Sequence, residues 1–211
     1  MITIYYAYYG TKLEALVYSR YLNLLPNHIT EGIERYRKWE DSQASLMGKL
    51  LLRKGLEELG LNFSLKDLKY NKYGRPYIEG GLDFNISHSG DYALCAISST
   101  NKVGVDLQEI KPISISDFKG QFLEEEWEII NCSEDKCKKF YHYWTAKEAA
   151  IKAAGKGLSI HLKEVRIMGD KVSVEGELWG LKTLQFHKDY ILQVVSDKDI
   201  QNKVRLIQVF F

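Results

Sequence analysis

The sequence has few cysteines, few prolines and no excess of charge of either sign. Its 211 residues contain three cysteines, three prolines, 29 Lys and Arg, and 28 Asp and Glu, which leaves a formal net charge of +1. An odd number of cysteines without a close CxxC pair argues against a disulfide framework and against a zinc site. The balanced charge excludes a strong overall attraction to nucleic acid or to an acidic membrane.

Long apolar runs are also missing from the sequence. No run approaches the roughly 18 apolar residues that indicate a transmembrane helix. The start of the chain, MITIYYAYYG, lacks the basic residues of a signal peptide and has the β-branched and aromatic character of a strand. We therefore expect a cytoplasmic protein in a reducing environment that binds neither membrane nor nucleic acid.

The order of the predicted elements repeats along the chain. Each half begins with a strand, continues through helices to one long helix, and ends in mostly antiparallel strands. The long helices are predicted over Asp41–Leu59 and Glu134–Ala154. This order indicates an α+β fold, a pseudo-dimer of two similar subdomains over residues 1–100 and 101–211, each with its long helix packed on a sheet.

Several details of the second half follow from local signals. Ser133 is predicted to cap the second long helix, and Gly155 is predicted to end it. The segment Lys171–Trp179 is predicted to be one strand, and Val204–Phe211 is predicted to be the last strand of the second half.

The stretch YWTAKEAAIKAAGKGL lies at the end of the second long helix. Trp144, Glu148 and Lys152 fall within about 80° on one helix face. A Glu–Lys pair at this spacing is common on exposed helices and stabilises them by only a few tenths of a kcal/mol. Trp144 and Ile151 favour burial of the same face, however, and half-buried charges need a partner or a metal. Both interpretations remain open from the helix alone.

The stretch VGVDLQEI reads as an apolar strand that ends in polar residues. Asp106 and Gln108 lie on the same face because side chains alternate along a strand. A carboxylate and an amide oxygen on one face suit a hard cation. The alternative is an aspartate at a strand end that caps a turn.

Two further stretches carry groups that suit a phosphate. In FNISHSG, Ser87 and His88 can donate hydrogen bonds at the end of a strand. In YGRPYI, Arg75 lies on a turn between Gly74 and Pro76, and a guanidinium held in place suits a phosphate. Each stretch alone is also an ordinary turn. Together with a cation site and a Glu–Lys helix face, they indicate phosphoryl-group chemistry.

These stretches, in this order, resemble the motifs of 4′-phosphopantetheinyl transferases of the larger, surfactin-synthetase-activator type. The paired motif is GVDLQ at Gly104–Gln108 and WTAKEAAIK at Trp144–Lys152, and YGRPYI, FNISHS and GKGLS accompany it. The resemblance implies a pseudo-dimer with its site between the halves. It also implies transfer of 4′-phosphopantetheine from coenzyme A to a serine of an apo acyl carrier protein, or of a carrier domain of a polyketide or nonribosomal peptide synthase. The product would be adenosine 3′,5′-bisphosphate, and the enzyme would be a monomer.

The resemblance also implies roles for individual residues. Asp106 and Glu148 would be ligands of Mg²⁺, with Mn²⁺ as the alternative ion, and Glu148 and Lys152 would be the catalytic pair. Gln108 stands where the family often has Glu, so it would contact the metal directly or through water. Coenzyme A would be bound by Ser45, Arg75, Pro76, Ser87, His88, Lys147 and Lys152.

Gln108 leaves a second functional hypothesis open. An amide is a weaker ligand of Mg²⁺ than a carboxylate. The alternative is therefore a non-catalytic relative that binds coenzyme A or a carrier protein and has a weakened metal site. The presence of both Glu148 and Lys152 favours the enzyme.

Overall fold

The computed structural model describes residues 1–60, 63–201 and 203–211 and has the predicted α+β fold. Two antiparallel-rich sheets are each covered by one long helix. No helix within these ranges is both long and apolar enough to span a bilayer. The α-helices are α1 (Ala15–Leu22), α2 (Asn27–Glu34), α3 (Trp39–Glu58), α4 (Glu124–Cys132) and α5 (Lys136–Ala154).

The strands form two main sheets and one small hairpin. The first sheet has the order β11-β1-β5-β4, the second has the order β6-β10-β9-β8-β7, and β2 pairs with β3. The strands are β1 (Ile2–Tyr8), β2 (Lys69–Tyr70), β3 (Pro76–Tyr77), β4 (Asp83–Ser89), β5 (Tyr92–Ser98), β6 (Val103–Glu109), β7 (Arg166–Met168), β8 (Lys171–Val174), β9 (Glu177–Leu184), β10 (Tyr190–Ser196) and β11 (Val204–Gln208).

The two long helices pack on their sheets with different side chains. Helix α3 covers the first sheet with large residues such as Leu46, Leu51 and Leu52, none of which is exposed. Helix α5 instead buries a face of alanines against the second sheet. Small side chains let the helix backbone approach the strands closely, so the residues that α5 carries lie near β6.

Gly104 of β6 shows how closely α5 approaches. A Cβ atom at this position would overlap the Ala149 carbonyl oxygen and the Ala153 nitrogen, both of which belong to the helix backbone. Backbone atoms of a buried helix cannot move aside as a flexible side chain can. The glycine of the GVDLQ motif is therefore required by the contact between β6 and α5.

Helix α5 begins two residues later than predicted. Its N-cap is Asp135, whose carboxylate accepts a hydrogen bond from the Lys138 N–H, so the prediction of Ser133 as the cap was wrong. An aspartate also suits the positive end of the helix dipole. The helix ends at Gly155 with a φ of 73°, the left-handed conformation that favours glycine.

The segment predicted to be one strand over Lys171–Trp179 is a hairpin. Glu175 and Gly176 have φ angles of 51° and 81°, and they turn the chain between β8 and β9. Two consecutive positive φ angles are the signature of a two-residue hairpin turn whose twist matches that of the strands. The Glu-Gly dipeptide is a weaker turn signal than Asn-Gly, and this weakness explains the error.

The last strand departs from the predicted division of the chain. Strand β11 pairs in parallel with β1 and so joins the sheet of the first half, although it was assigned to the second. A parallel partner for β1 requires a strand distant in sequence, and local patterns carry no such information. The division at residues 1–100 and 101–211 otherwise stays a prediction.

Replacing Gly104 with Ala should lower the free energy of unfolding by about 3 kcal/mol, because α5 or β6 must shift to admit the methyl group. Gly32→Ala is the matched control, since a Cβ at Gly32 of α2 meets nothing within 4 Å. Urea denaturation of both variants tests this expectation. Equal stability of the two variants would contradict the close packing of β6 on α5.

Candidate functional site

The two sheets meet where β6 lies beside β4. Strand β6 is the edge of the second sheet, so alternate backbone N–H groups point away from that sheet and have no strand partner within it. Each one donates to a side chain of β4. The pairs are Val103 N to Asp83 Oδ2 (2.7 Å), Val105 N to Asn85 Oδ1 (2.8 Å), Leu107 N to Ser87 Oγ (3.2 Å) and Glu109 N to Ser89 Oγ (3.0 Å). We call this set of four hydrogen bonds the seam.

Asp106 lies on the face of β6 that meets α5, and it is 1% exposed. Its Oδ1 accepts hydrogen bonds from Ser87 Oγ at 3.0 Å and from Lys152 Nζ at 2.5 Å. Its Oδ2 accepts from Gln108 Nε2 at 3.0 Å. These donors bring together residues from β4, β6 and α5.

Glu148 is the second carboxylate of the site. It is half-buried one helical turn before Lys152 on α5. Burial raises the pKa of Glu148, the negative charge of Asp106 raises it further, and the Lys152 ammonium opposes the shift. Glu148 shares a face of α5 with Lys152, which contacts Asp106, so both carboxylates lie on the same side of this helix. The predicted group of Asp106, Gln108, Glu148 and Lys152 is therefore assembled at one place.

This group provides few ligands for a metal ion. Within the described ranges, no three or more His, Cys, Asp and Glu side chains are placed to hold a metal. Asp106 and Glu148 supply two carboxylates, and the amide of Gln108 is the neighbouring polar group. A hard cation with a preference for oxygen could be held here only with further oxygen ligands from a substrate or from water.

Ser87 belongs to both the seam and the site. Its hydroxyl accepts from the Leu107 N–H and from Lys152 Nζ, the latter at 3.1 Å, and donates to Asp106. This small side chain therefore positions the strand and the carboxylate together. Its predicted contact with coenzyme A stays a prediction.

His88 lies next to Ser87 at an exposed position of β4. Neighbouring protein atoms partly desolvate the imidazole and lower its pKa, and the ammonium groups of Lys152 and Lys49 lower the pKa further. The charges of Asp41 and Asp106 act in the opposite direction. His88 shares a face of β4 with Phe84 and Ile86, which pack on the side of α3, so it lies at the edge of the site on that side.

Lys49 is a residue that the sequence analysis missed. It lies half-buried on α3, one turn after Ser45, and it has no hydrogen-bonding or ionic partner within the described residues. Burial lowers the pKa of Lys49, and the effect of Cys95 is opposite and smaller. The signal in the sequence was a lone lysine, one turn after the predicted Ser45, among apolar residues of a buried helix. The charge of Lys49 acts on the His88 imidazole, so the two side chains are near one another on the α3 side.

Lys147 was predicted to bind the cofactor, and this prediction was wrong. Its side chain is 0% exposed, and the ammonium lies 2.8 Å from the Glu126 carboxylate. It also donates to the carbonyl oxygens of Leu162 and Val165 at 2.9 and 2.6 Å. Lys147 and Glu148 are adjacent on α5 and so point in different directions. Lys147 faces the interior and ties α5 to α4.

Two other predicted cofactor ligands lie in and near the β2–β3 hairpin. Pro76 opens β3 and is half-buried, and its predicted contact with coenzyme A stays a prediction. Arg75 directs both terminal nitrogens of its guanidinium to protein acceptors. This placement does not fit the predicted contact of Arg75 with a phosphate, because the groups that would bind the phosphate already have partners.

Comparison with known proteins gives a consistent result across the chain. The profile of the 4′-phosphopantetheinyl transferase superfamily matches residues 102–195, and the profile of the N-terminal region of 4′-phosphopantetheinyl transferases matches residues 14–100. A 4′-phosphopantetheinyl transferase from Bacillus subtilis is 34% identical over 210 residues, which cover 92% of this chain and 91% of that protein.

Two other similarities are partial. The 4′-phosphopantetheinyl transferase Sfp from Bacillus subtilis strain 168 is 32% identical over 181 residues, covering 82% of this chain and 80% of its own. A solved holo-[acyl-carrier-protein] synthase from Thermotoga maritima superposes on 45% of this chain and 61% of its own, with 16% identity and a TM-score of 0.36. The sequence similarities carry the family assignment, and the structural superposition adds nothing to it.

Replacing Lys147 with Met should lower the free energy of unfolding by about 3–5 kcal/mol, because the Glu126 carboxylate would stay buried without its partner. Lys156→Met is the matched control. Lys156 pairs with Glu175 at 2.6 Å on the surface, so its loss should leave the stability almost unchanged. Urea denaturation measures both. A Lys147→Met protein as stable as the wild type would contradict the structural role of this ion pair.

Proposed function

This chain belongs to the 4′-phosphopantetheinyl transferase superfamily, and from that premise we propose that it transfers 4′-phosphopantetheine from coenzyme A to a serine of an apo carrier protein. The observation that carries the proposal is the convergence of Asp106, Glu148 and Lys152 at the seam. These side chains come from β6 and α5, which are brought together only by the fold. The other product would be adenosine 3′,5′-bisphosphate.

The reaction places specific demands on the residues of the site. The hydroxyl of the carrier serine attacks the phosphorus atom that bears pantetheine, and the bond from that phosphorus to the adenosine 3′,5′-bisphosphate breaks. Glu148 would accept the proton of the serine, directly or through a water molecule, because it is the carboxylate one helical turn from Lys152. Lys152 stabilises the negative charge that develops on the phosphate oxygens.

Mg²⁺, with Mn²⁺ as the alternative, fits the donor set of this site. The carboxylates of Asp106 and Glu148 repel each other, and a divalent cation between them would remove that repulsion. Asp106 and Glu148 would hold the ion, Gln108 would contact it directly or through water, and phosphate oxygens of coenzyme A would complete the ligands. The ion would supply charge neutralisation on the pyrophosphate.

The side of the site that faces α3 suits the adenosine phosphate of coenzyme A. Lys49 and His88 present a lysine without an internal partner and an accessible imidazole. Ser45 adds a half-buried hydroxyl one turn before Lys49. A phosphate is an anion with several acceptor oxygens, so these three side chains are suitable partners for it. They would replace Lys147 and Arg75, whose nitrogens are occupied within the protein.

The carrier, the compartment and the oligomeric state complete the proposal. The carrier would be an acyl carrier protein or a carrier domain of a polyketide or nonribosomal peptide synthase. Homologues bear the name of this transferase activity, and the balanced charge of the chain favours neither a nucleic-acid nor a membrane partner. The enzyme would act in the cytoplasm as a monomer, because the two halves of one chain together form the site.

The alternative function is that of a non-catalytic protein that binds coenzyme A or a carrier. Gln108 favours this alternative. Its Nε2 donates to Asp106, whereas a carboxylate at the same position would add a ligand for the metal. Such a protein would bind coenzyme A and leave the carrier unmodified. The transferase is preferred because Glu148 and Lys152 are both in place.

The transfer reaction can be tested directly. We expect incubation with coenzyme A, Mg²⁺ and an apo carrier to add one phosphopantetheine group to the carrier, as measured by mass spectrometry of the intact protein. Glu148→Gln and Asp106→Ala should abolish the gain, because each removes a carboxylate of the site. Lys156→Met serves as an active control on the same segment of chain. Chelation of divalent metal should also stop the reaction.

Several outcomes would decide between the two functions. No mass gain with acyl, peptidyl and polyketide carriers, together with measurable binding of coenzyme A, would support the non-catalytic alternative. Near-normal transfer by both the Glu148 and Asp106 variants would show that the site lies elsewhere. Gln108→Glu should transfer at least as fast as the wild type at low Mg²⁺, since it adds a carboxylate ligand.

A further inference from the structure

The two terminal nitrogens of Arg75 have six protein acceptors within hydrogen-bonding distance. Its side chain is 13% exposed. One terminal nitrogen donates to the carbonyl oxygens of Lys152 and Ala153, each at 2.7 Å. The other has two N–H groups, which are shared among both oxygens of Asp83 at 2.9 and 2.8 Å, Phe84 O at 3.2 Å and Val103 O at 2.9 Å.

These acceptors belong to three elements, α5, β4 and β6. Lys152 and Ala153 lie in the last turn of α5, Asp83 and Phe84 begin β4, and Val103 begins β6. The last carbonyl groups of a helix have no partner within the helix, and a cation near them is favoured by the helix dipole. One guanidinium therefore joins the C-terminal end of α5 to the first hydrogen bond of the seam.

The surrounding turn holds Arg75 in this position. The Oδ1 atom of Asn71 accepts from the backbone N–H groups of Tyr73 and Arg75, both at 2.9 Å. The Nδ2 atom of Asn71 donates to the Gly155 carbonyl oxygen at 2.9 Å. The β2–β3 turn thus contacts the end of α5 through two side chains. A Cβ atom at Gly155 would lie only 3.0 Å from Arg75 Cδ, so the glycine leaves room for the arginine side chain.

The chemistry of these contacts requires a guanidinium. Arginine presents five donors in a planar fork, which can reach a carboxylate and several carbonyl oxygens together. A lysine ammonium carries the same charge but has three donors on one atom, so it cannot reach the six acceptors that surround the two terminal nitrogens of Arg75. Burial raises the pKa of Asp83 and Arg75 opposes that shift, so the pair is partly desolvated.

We infer that Arg75 is a positioning residue of the transferase: it sets the C-terminal turn of α5 against the seam and thereby holds Lys152 and Glu148 in register with Asp106. This inference rests on the proposed transfer reaction. Arg75 acts through the helix end and contacts no substrate. Its contact reaches a residue of the site directly, because one carbonyl oxygen that Arg75 binds is that of Lys152 itself.

Arg75→Lys tests this inference because it keeps the charge and removes the fork. We expect kcat of phosphopantetheine transfer to fall about 100-fold, the scale of loss for a misplaced catalytic group. The KM for coenzyme A should stay within about twofold of the wild type. Arg53→Lys is the matched control, since Arg53 forms an exposed pair with Glu57 on α3 and should keep both constants unchanged.

Asn71→Asp provides a second variant in case Arg75→Lys does not fold. It keeps the acceptor that forms the turn and removes the donor to Gly155, so kcat should fall by a smaller factor, again without a change in the KM. A rise in the KM for coenzyme A with kcat preserved would mean that Arg75 binds the cofactor, and would overturn this inference alone. A wild-type chain that loads no carrier would overturn the proposed function and this inference with it.

Discussion

The seam between β4 and β6 is the constraint on which the rest of the site depends. An edge strand leaves alternate N–H groups without partners, and a buried N–H without a partner is destabilising. Here the short side chains of Asp83, Asn85, Ser87 and Ser89 accept these hydrogen bonds in place of a neighbouring strand. The arrangement requires small polar residues at every second position of β4. Asp106 is brought to α5 because the flanking N–H groups of Val105 and Leu107 are held in this way.

The charged residues near the seam divide into two groups with different tasks. Lys147 and Glu126 form a buried pair that joins α5 to α4, and Arg75 with Asp83 joins α5 to β4. Lys152, on the same helix α5, contacts Asp106 of β6 and is partly exposed to solvent. The first group fixes α5. Lys152 and Glu148 of this helix, one of opposite and one of like charge, are thereby held near Asp106. The stability of α5 and the chemistry proposed for its end are therefore linked through the same few elements.

Part of this arrangement could be predicted from the sequence. Alternation along β6 predicted that Asp106 and Gln108 share a strand face, and helical spacing predicted that Glu148 and Lys152 share a face of α5. In the structure, Gln108 and Lys152 both donate to Asp106, so the two faces meet. Predictions failed where a partner is distant. The side chain of Lys147 is buried because Glu126 lies on another helix, and the acceptors of Arg75 are backbone carbonyls that leave no mark in the sequence. Lys49 was missed because its environment depends on the packing of α3.

The proposed function requires that coenzyme A binds across the seam, with its pyrophosphate beside Asp106, Glu148 and Lys152. A crystal structure of the protein with coenzyme A and Mg²⁺ would test this claim most directly. We predict a pyrophosphate next to these three side chains, an adenosine phosphate that contacts His88 and Lys49, and an Arg75 guanidinium still bound to the end of α5. Coenzyme A phosphates bound away from the seam, for example in the cavity of about 510 Å³ lined by Lys12, Arg37 and Trp39, would contradict the account.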